Sequence, residues 1–292
     1  MSITFKIRQT SSDMQPFLSV AQNYKVIFFD SYGVLKNHNG LIPGVQVVIN
    51  ELRSQGKFIR VLTNDASRTP EQQVERFAQT GLTGLRPSEI ITSSMMAGLF
   101  LKDKVKSGQV AYLGTENSAQ CITAVGLEAI PVSQVDFNNL DELSAMAFLD
   151  DEGFDWNTDL NKTINLLRKK KLQVIIANTD KIYPVAKNDV NIATGGIAKL
   201  FESILNRKFL HFGKPDTQMF HHAFEDINRF GNFEKSDVLM VGDTLNTDIL
   251  GGNKFGIATM LVLSGNTSHR GYETRIRSSG IIPDYVCNSI VD

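Results

Sequence analysis

Short apolar runs alternate with amphipathic stretches along the chain, and this pattern predicts alternating strands and helices. The apolar runs are rich in β-branched and aromatic residues, as buried strands are. We predict strands at Val26–Phe29, Phe58–Leu62, Val174–Ala177, Val238–Val241 and Ala258–Leu263. Periodicity predicts helices at Val45–Gln55, Pro70–Thr80, Asn161–Lys170 and Gly196–Asn206. Strands that alternate with helices form parallel β-α-β units, so we expect an α/β fold.

A middle segment, about residues 81–184, is set apart because the polar residues of interest lie on either side of it. It has strand signals of its own at Ala111–Leu113, Ala145–Leu149 and Val174–Ala177, together with helical patterns. We therefore predict an α/β domain inserted into another, with boundaries at 1–80, 81–184 and 185–292. The length of 292 residues fits about two domains.

Composition and charge exclude some classes of partner. Apolar residues make up 42% of the chain, charged residues 21%, and the net charge is −1. Nothing in these values favours nucleic acid or an anionic membrane as a partner. No window approaches the ~20 apolar residues of a membrane span, and the N-terminal stretch has no apolar core of signal-peptide length. We expect a cytoplasmic protein without a nucleic-acid or membrane partner.

Polar residues suited to phosphate and cation binding lie at or near the ends of the apolar runs, where open α/β sheets bind their ligands. They are Asp30 after VIFF, Thr63 and Asn64 after FIRVL, Lys214 in HFGKPD, and Asp243 and Asp248 in VGDTLNTD. Each alone has an ordinary explanation as a turn, cap or surface residue. The whole set in this order is far more specific.

In this order the residues resemble the four motifs of the haloacid dehalogenase (HAD) superfamily, and the layout resembles its subclass IIA, NagD-like phosphatases. The resemblance runs from about Val26 to the C-terminus, and the residues before it lie outside it. Supporting stretches are LIPGVQVVINELRSQGKFIRVLTNDASRTP and VGDTLNTDILGGNKFGIATMLVLSG. The resemblance implies a Rossmann-like parallel-sheet core with an inserted α/β cap domain. It also implies a hydrolase that acts on a small phosphorylated metabolite.

The resemblance implies roles for the residues that handle phosphate. Asp30 would attack phosphorus and form an aspartyl-phosphate. Thr63 and the backbone N–H of Asn64 would bind phosphate oxygens. Lys214 would place a positive charge against the nucleophile and the phosphate. Related capped enzymes often dimerise through the cap, so the sequence leaves a homodimer open.

The resemblance also implies a magnesium site. Asp30, Asp243 and the main-chain oxygen of Tyr32 would hold Mg²⁺, because hard oxygen ligands suit this ion. Asp248 would support the metal or Lys214 from a second layer of contacts. Since residue 32 contributes a main-chain oxygen, a tyrosine there can supply it.

Tyr32 departs from the family pattern, because the phosphatases of this family carry an aspartate there. That aspartate protonates the leaving group and activates water, and such acid–base help is worth about 10²–10⁴ in rate. Tyrosine, with an ordinary pKa of about 10, is a poor base near neutrality, although its hydroxyl can donate to a leaving oxygen. We expect slow turnover in which hydrolysis of the aspartyl-phosphate suffers most.

Two alternatives to an active phosphatase stay open at this point. One is a protein that binds a phosphorylated ligand with only vestigial catalysis. The other is carbon chemistry without a metal, because the pattern D-x-Y-G also resembles the haloacid dehalogenases that displace halide from carbon. The metal-type motif VGDTLNTD and the long inserted segment favour the phosphatase.

Overall fold

The computed structural model describes residues 14–186 and 189–292. The predictions made for the first 13 residues therefore lie outside the described part of the chain. The strands are β1 (Val26–Phe29), β2 (Lys36–Asn37), β3 (Gly40–Leu41), β4 (Phe58–Thr63), β5 (Ile90–Thr92), β6 (Gln109–Leu113), β7 (Glu128–Pro131), β8 (Leu143–Phe148), β9 (Gln173–Ile176), β10 (Ile182–Pro184), β11 (Val190–Ile192), β12 (Leu210–His211), β13 (Val238–Gly242), β14 (Ala258–Val262) and β15 (Tyr285–Cys287).

The helices alternate with these strands for most of the chain. They are α1 (Phe17–Ala21), α2 (Val45–Ser54), α3 (Pro70–Gln79), α4 (Ser93–Lys104), α5 (Gln120–Thr123), α6 (Thr158–Lys169), α7 (Thr194–Leu205), α8 (Thr217–Ile227), α9 (Leu250–Phe255) and α10 (Tyr272–Ser279). A π turn at Leu245–Ile249 leads directly into α9. Within the described ranges, no helix is both long and apolar enough to cross a bilayer.

The larger sheet has six strands in the order β15-β14-β13-β1-β4-β5. The pairs from β15 to β4 are all parallel. Strands β1 and β13 are buried along their whole length, which explains their unbroken apolar sequences. Phe29 at the end of β1 lies in register with Val241 on β13 and with Val61 on β4. The residues that follow β1 and β13 therefore leave the sheet at the same edge.

The second sheet has five parallel strands in the order β12-β9-β8-β6-β7. Its core includes the ring of Phe148, whose centroid lies 5.1 Å from that of Phe201 and 6.0 Å from that of Phe209. Two parallel sheets with alternating helices confirm the predicted α/β class, a Rossmann-like core together with a second α/β sheet.

Contacts divide the chain into two compact units. The first comprises the described residues up to Leu62, with Ala78–Gly84 and Phe220–Asp292; the second comprises Thr63–Phe77 and the described part of Leu85–Met219. Strand β12, which the sequence pattern does not predict, pairs with β9 in the second sheet. The inserted domain with boundaries at residues 81 and 184 stays a prediction.

Candidate active site

Three carboxylates meet in the first unit at the edge of the sheet where β1 and β13 end. One oxygen from each of Asp30, Asp243 and Asp248 lies within 4.8 Å of the other two. Asp30 follows β1 directly, and its N–H donates to the carbonyl of Val241 at 2.9 Å. Asp243 and Asp248 are fully buried. The structure therefore brings together three residues that the sequence motifs singled out.

The π turn places Asp248 in this cluster. The N–H of Thr244 donates to Asp248 Oδ2 at 3.0 Å, and the N–H of Asp248 donates to the carbonyl of Thr244 at 3.0 Å. A Cβ on Gly242 would lie 2.2 Å from the Cβ of Asp248, so this approach needs a glycine. Such single π turns occur frequently at functional sites.

Asp243 is held from several sides. The hydroxyl of Thr244 donates to Oδ1 at 2.8 Å, and the N–H of Asn266 donates to Oδ2 at 2.6 Å. The pKa of Asp243 is raised well above its ordinary value, first by burial and then by the charges of Asp30 and Asp248. Three carboxylates this close repel one another unless a proton or a cation lies between them.

The acidic cluster fits a hard divalent cation. Carboxylate oxygens are the ligands that Mg²⁺ and Ca²⁺ prefer, and a cation among them would relieve the repulsion that raises the pKa of Asp243. The carboxylate of Asp248 supplies one of the three clustered oxygens. Its assignment to a second layer of contacts stays a prediction.

A tight turn at Gly33 closes over Asp243. Gly33 has φ +78°, and a Cβ there would lie 2.2 Å from Asp243 Oδ2 and 2.8 Å from the Cα of Gly265. The hydroxyl of Ser264 donates to the carbonyl of Gly33 at 2.6 Å and fixes this approach. Only a residue without a side chain fits at this position.

We expect Gly33→Ala to lower the free energy of unfolding by about 2–4 kcal/mol, from backbone strain and overpacking against Asp243. Urea unfolding measures the effect. Gly40→Ala is the matched control, because Gly40 has φ +108° but nothing within 4 Å of an added Cβ. Equal destabilisation by the two substitutions would contradict the steric part of this prediction.

Tyr32 follows Asp30 in the same unit, and its phenol is partly buried. Its pKa is raised above the ordinary value of 10.0, first by burial and then by the charge of Asp243, against a hydrogen bond from the backbone of His38. Tyr32 is therefore protonated at neutral pH. It has a proton to donate and is not a base.

The second unit holds the other candidate residues. Lys214 is only 2% exposed, although lysine is rarely buried. The amide of Asn64 bonds to both backbone groups of Lys214: Oδ1 accepts from its N–H at 2.8 Å, and Nδ2 donates to its carbonyl at 3.1 Å. Thr63 ends β4, and its hydroxyl accepts from the N–H of Asp65 at 3.2 Å.

Two further members of this group, Thr179 and Asp180, lie outside the set of site residues predicted from the sequence. Both side chains accept a hydrogen bond from Asn64 Nδ2 at 3.0 Å. The one available signal was their position just after the strand β9, which alone does not distinguish them from turn residues.

Comparison with known proteins agrees with the motifs. The profile of the haloacid dehalogenase-like hydrolases matches residues 27–128, and an HAD-hydrolase-like profile matches residues 211–292. A crystal structure from Cytophaga hutchinsonii, described as a possible sugar phosphatase of the HAD superfamily, is 49% identical. It superposes with a TM-score of 0.92 over 96% of this chain and 99% of that chain.

Two more distant proteins are similar over nearly the whole chain. Phosphoglycolate phosphatase 2 of Arabidopsis thaliana is 28% identical over 96% of this chain and 97% of its own length. NagD from E. coli is 24% identical, with a TM-score of 0.74 over 92% of this chain and 98% of that chain, and shares the fold. The predicted NagD-like architecture is confirmed at the level of the fold. The chain belongs to the haloacid dehalogenase superfamily.

Proposed function

We propose that this protein is a Mg²⁺-dependent phosphatase that hydrolyses a small phosphate monoester through an aspartyl-phosphate on Asp30. The cluster of Asp30, Asp243 and Asp248 carries the proposal, because it pairs a nucleophilic carboxylate with ligands for a divalent cation. Membership of a hydrolase superfamily and the similarity to phosphatases support it.

The reaction has two steps at the same carboxylate. In the first, an Asp30 oxygen attacks phosphorus, the bond from phosphorus to the ester oxygen breaks, and the leaving oxygen takes a proton. In the second, water attacks the aspartyl-phosphate, the bond to Asp30 breaks, and inorganic phosphate leaves. Tyr32 is protonated and can donate its proton to the leaving oxygen in the first step. Because its pKa is raised, it recovers a proton from solvent before the second step, and the proton of the attacking water then passes to solvent without help from a base.

The remaining candidate residues bind the phosphate group and the metal ion in this proposal. Thr63 and the backbone N–H of Asn64 bind phosphate oxygens, and Lys214 neutralises part of their charge. Asp30, Asp243 and the main-chain oxygen of Tyr32 would hold Mg²⁺, with Asp248 supporting them. When bound, the ion would neutralise charge on the phosphoryl group.

The relatives narrow the substrate class. One is described as a possible sugar phosphatase and another as a phosphoglycolate phosphatase. We therefore propose a phosphorylated small sugar or small organic acid as substrate. We also propose that the inserted domain selects the leaving group. A homodimer formed through that domain is a further part of the proposal.

A screen of phosphorylated metabolites tests the function directly. We expect phosphate release that needs Mg²⁺ and stops with EDTA. Saturable binding without turnover would favour the ligand-binding alternative instead. Release of halide from a 2-haloacid without metal would favour carbon chemistry.

Tyr32→Asp should raise steady-state phosphate release tenfold or more. The substitution restores a carboxylate that can activate water, and general acid–base help is worth about 10²–10⁴ in rate. The wild-type protein should show a burst of leaving group followed by slow turnover, and rapid-quench kinetics on both proteins measure the change.

Tyr32→Phe is the control for this prediction, because it removes the hydroxyl without adding a base. It should slow the burst, because the donor to the leaving oxygen is lost, and it should not speed the slow turnover that follows. If Tyr32→Asp stays folded but turns over no faster than wild type, Tyr32 is a working part of the site. Carbon chemistry or a specialised substrate would then become the leading interpretation.

A further inference from the structure

The side-chain amide of Asn64 is buried, and a backbone segment 150 residues away occupies both of its ends. Oδ1 accepts the N–H of Lys214 at 2.8 Å, and Nδ2 donates to the carbonyl of Lys214 at 3.1 Å. The amide is thus hydrogen-bonded to the peptide groups on both sides of the Lys214 Cα. Few side chains other than Asn and Gln can pair a donor and an acceptor in this way.

The donor end of the amide is shared with the loop after β9. Nδ2 lies 3.0 Å from both Thr179 Oγ1 and Asp180 Oδ1. The hydroxyl of Thr179 also donates to the carbonyl of Lys214 at 2.6 Å. An amide nitrogen has only two hydrogens, so these three acceptors already use its capacity.

Packing leaves this arrangement little freedom. Gly213 has φ +105°, and a Cβ there would lie 2.5 Å from Asn64 Oδ1 and 2.9 Å from the Cβ of Ser93. The hydroxyl of Ser93 donates to the carbonyl of Asn64 at 2.8 Å. The main chain of Asn64 is therefore held as well as its side chain.

We infer that the Asn64 side chain is a positioning residue for Lys214, and that it does not itself bind the substrate. Its polar atoms are all engaged within the second unit, which leaves only its backbone N–H for a phosphate oxygen. The inference rests on the proposed function in one respect, namely that the ammonium group of Lys214 stabilises the transferred phosphate.

The physical reason is the flexibility of lysine. Its four-carbon stem has many rotamers, so a well-placed ammonium group needs a fixed Cα and a packed stem. A displacement of about 1 Å at a catalytic group can cost about 10²-fold in rate. The Asn64 amide supplies the fixed Cα.

Asn64→Ala should lower kcat by about 10–100-fold with a smaller change in KM, because the lysine is misplaced and not removed. Hydrogen exchange at the Lys214 amide should become faster in the same variant, because its acceptor is lost. This second readout does not depend on turnover.

A double-mutant cycle separates positioning from substrate contact. Asn64→Asp keeps an acceptor for Lys214 but loses the donors and puts two carboxylates together at Asp180. Adding Asp180→Asn supplies a donor to the new carboxylate. The kcat of the double variant should therefore be at least threefold higher than that of Asn64→Asp. A side chain that touched only the substrate would gain nothing from the change at residue 180.

Each outcome decides one question. Unchanged Lys214 amide exchange in Asn64→Ala, or the absence of recovery in the double variant, would overturn the inference. If Asn64→Ala does not fold, the cycle of Asn64→Asp with Asp180→Asn supplies the decision. If the wild type releases no phosphate, the proposed function fails while amide exchange still tests the positioning contact.

Discussion

Asp30→Asn should lower phosphate release by at least about 10³-fold, the largest effect of any single substitution in this protein. Asparagine has the same shape as aspartate but is neutral and a poor nucleophile. Removal of a nucleophile alone can cost as much as removal of the whole catalytic set. Steady-state phosphate release measures the loss, and mass spectrometry of quenched wild-type protein should find a phosphoryl group on Asp30.

The same substitution should also lower the pKa of Asp243. That pKa is raised first by burial and then by the charges of Asp30 and Asp248, and the substitution removes one of those charges. Asp141→Asn is the control, because Asp141 is exposed and lies in the second unit. If Asp30→Asn keeps a tenth or more of the activity, the covalent route is wrong and water attacks the ester directly.

Lys214→Met should lower turnover by about 10²–10³-fold, the usual loss when one preorganised electrostatic contact to a transition state is removed. Methionine has a similar length and flexibility, so the buried stem keeps its packing while the charge disappears. Removal of one member of a buried charged contact is destabilising, so stability is measured alongside turnover. Phosphate-release kinetics and urea unfolding measure the two effects separately.

Lys208→Met is the matched control, since Lys208 is exposed and only six residues away. It should leave kcat within about twofold of wild type, as surface substitutions usually do little. Lys214→Arg should recover little activity, because a planar guanidinium does not replace a compact ammonium group. Unchanged turnover in Lys214→Met would remove Lys214 from the mechanism.

Strands that are buried on both faces were predicted accurately, because their burial requires an unbroken run of apolar residues. Val26–Phe29 forms the predicted strand residue for residue, because a parallel strand covered on both faces has an unbroken apolar run. Helix α6 begins at Thr158, three residues before the predicted start at Asn161. There the carboxylate of Asp155 accepts the N–H of Thr158, a polar contact that apolar periodicity does not reveal.

The sequence predicted the site residues that follow neighbouring strands, but it did not predict side-chain contacts between residues far apart in the chain. Asp30 and Asp243 were predictable together, because neighbouring parallel strands bring their ends to one edge. The side-chain role of Asn64 was not predictable, because its partner Lys214 lies 150 residues away and is recognised through its backbone. Backbone hydrogen-bonding groups are the same in nearly every residue, so the identity of residue 214 does not indicate that its backbone makes this contact.

The π turn at Leu245–Ile249 contains Asp248, so the number of residues from Asp243 to Asp248 is as important as their types. A π turn contains one residue more than an α turn, and each residue advances a helix by about 100°. A deletion within residues 245–247 would restore an ordinary helix and rotate the carboxylate of Asp248 away from its two partners. The number of residues between Asp243 and Asp248 therefore cannot change without moving the Asp248 carboxylate. An alignment that opens a gap between these two aspartates would match carboxylates that do not correspond.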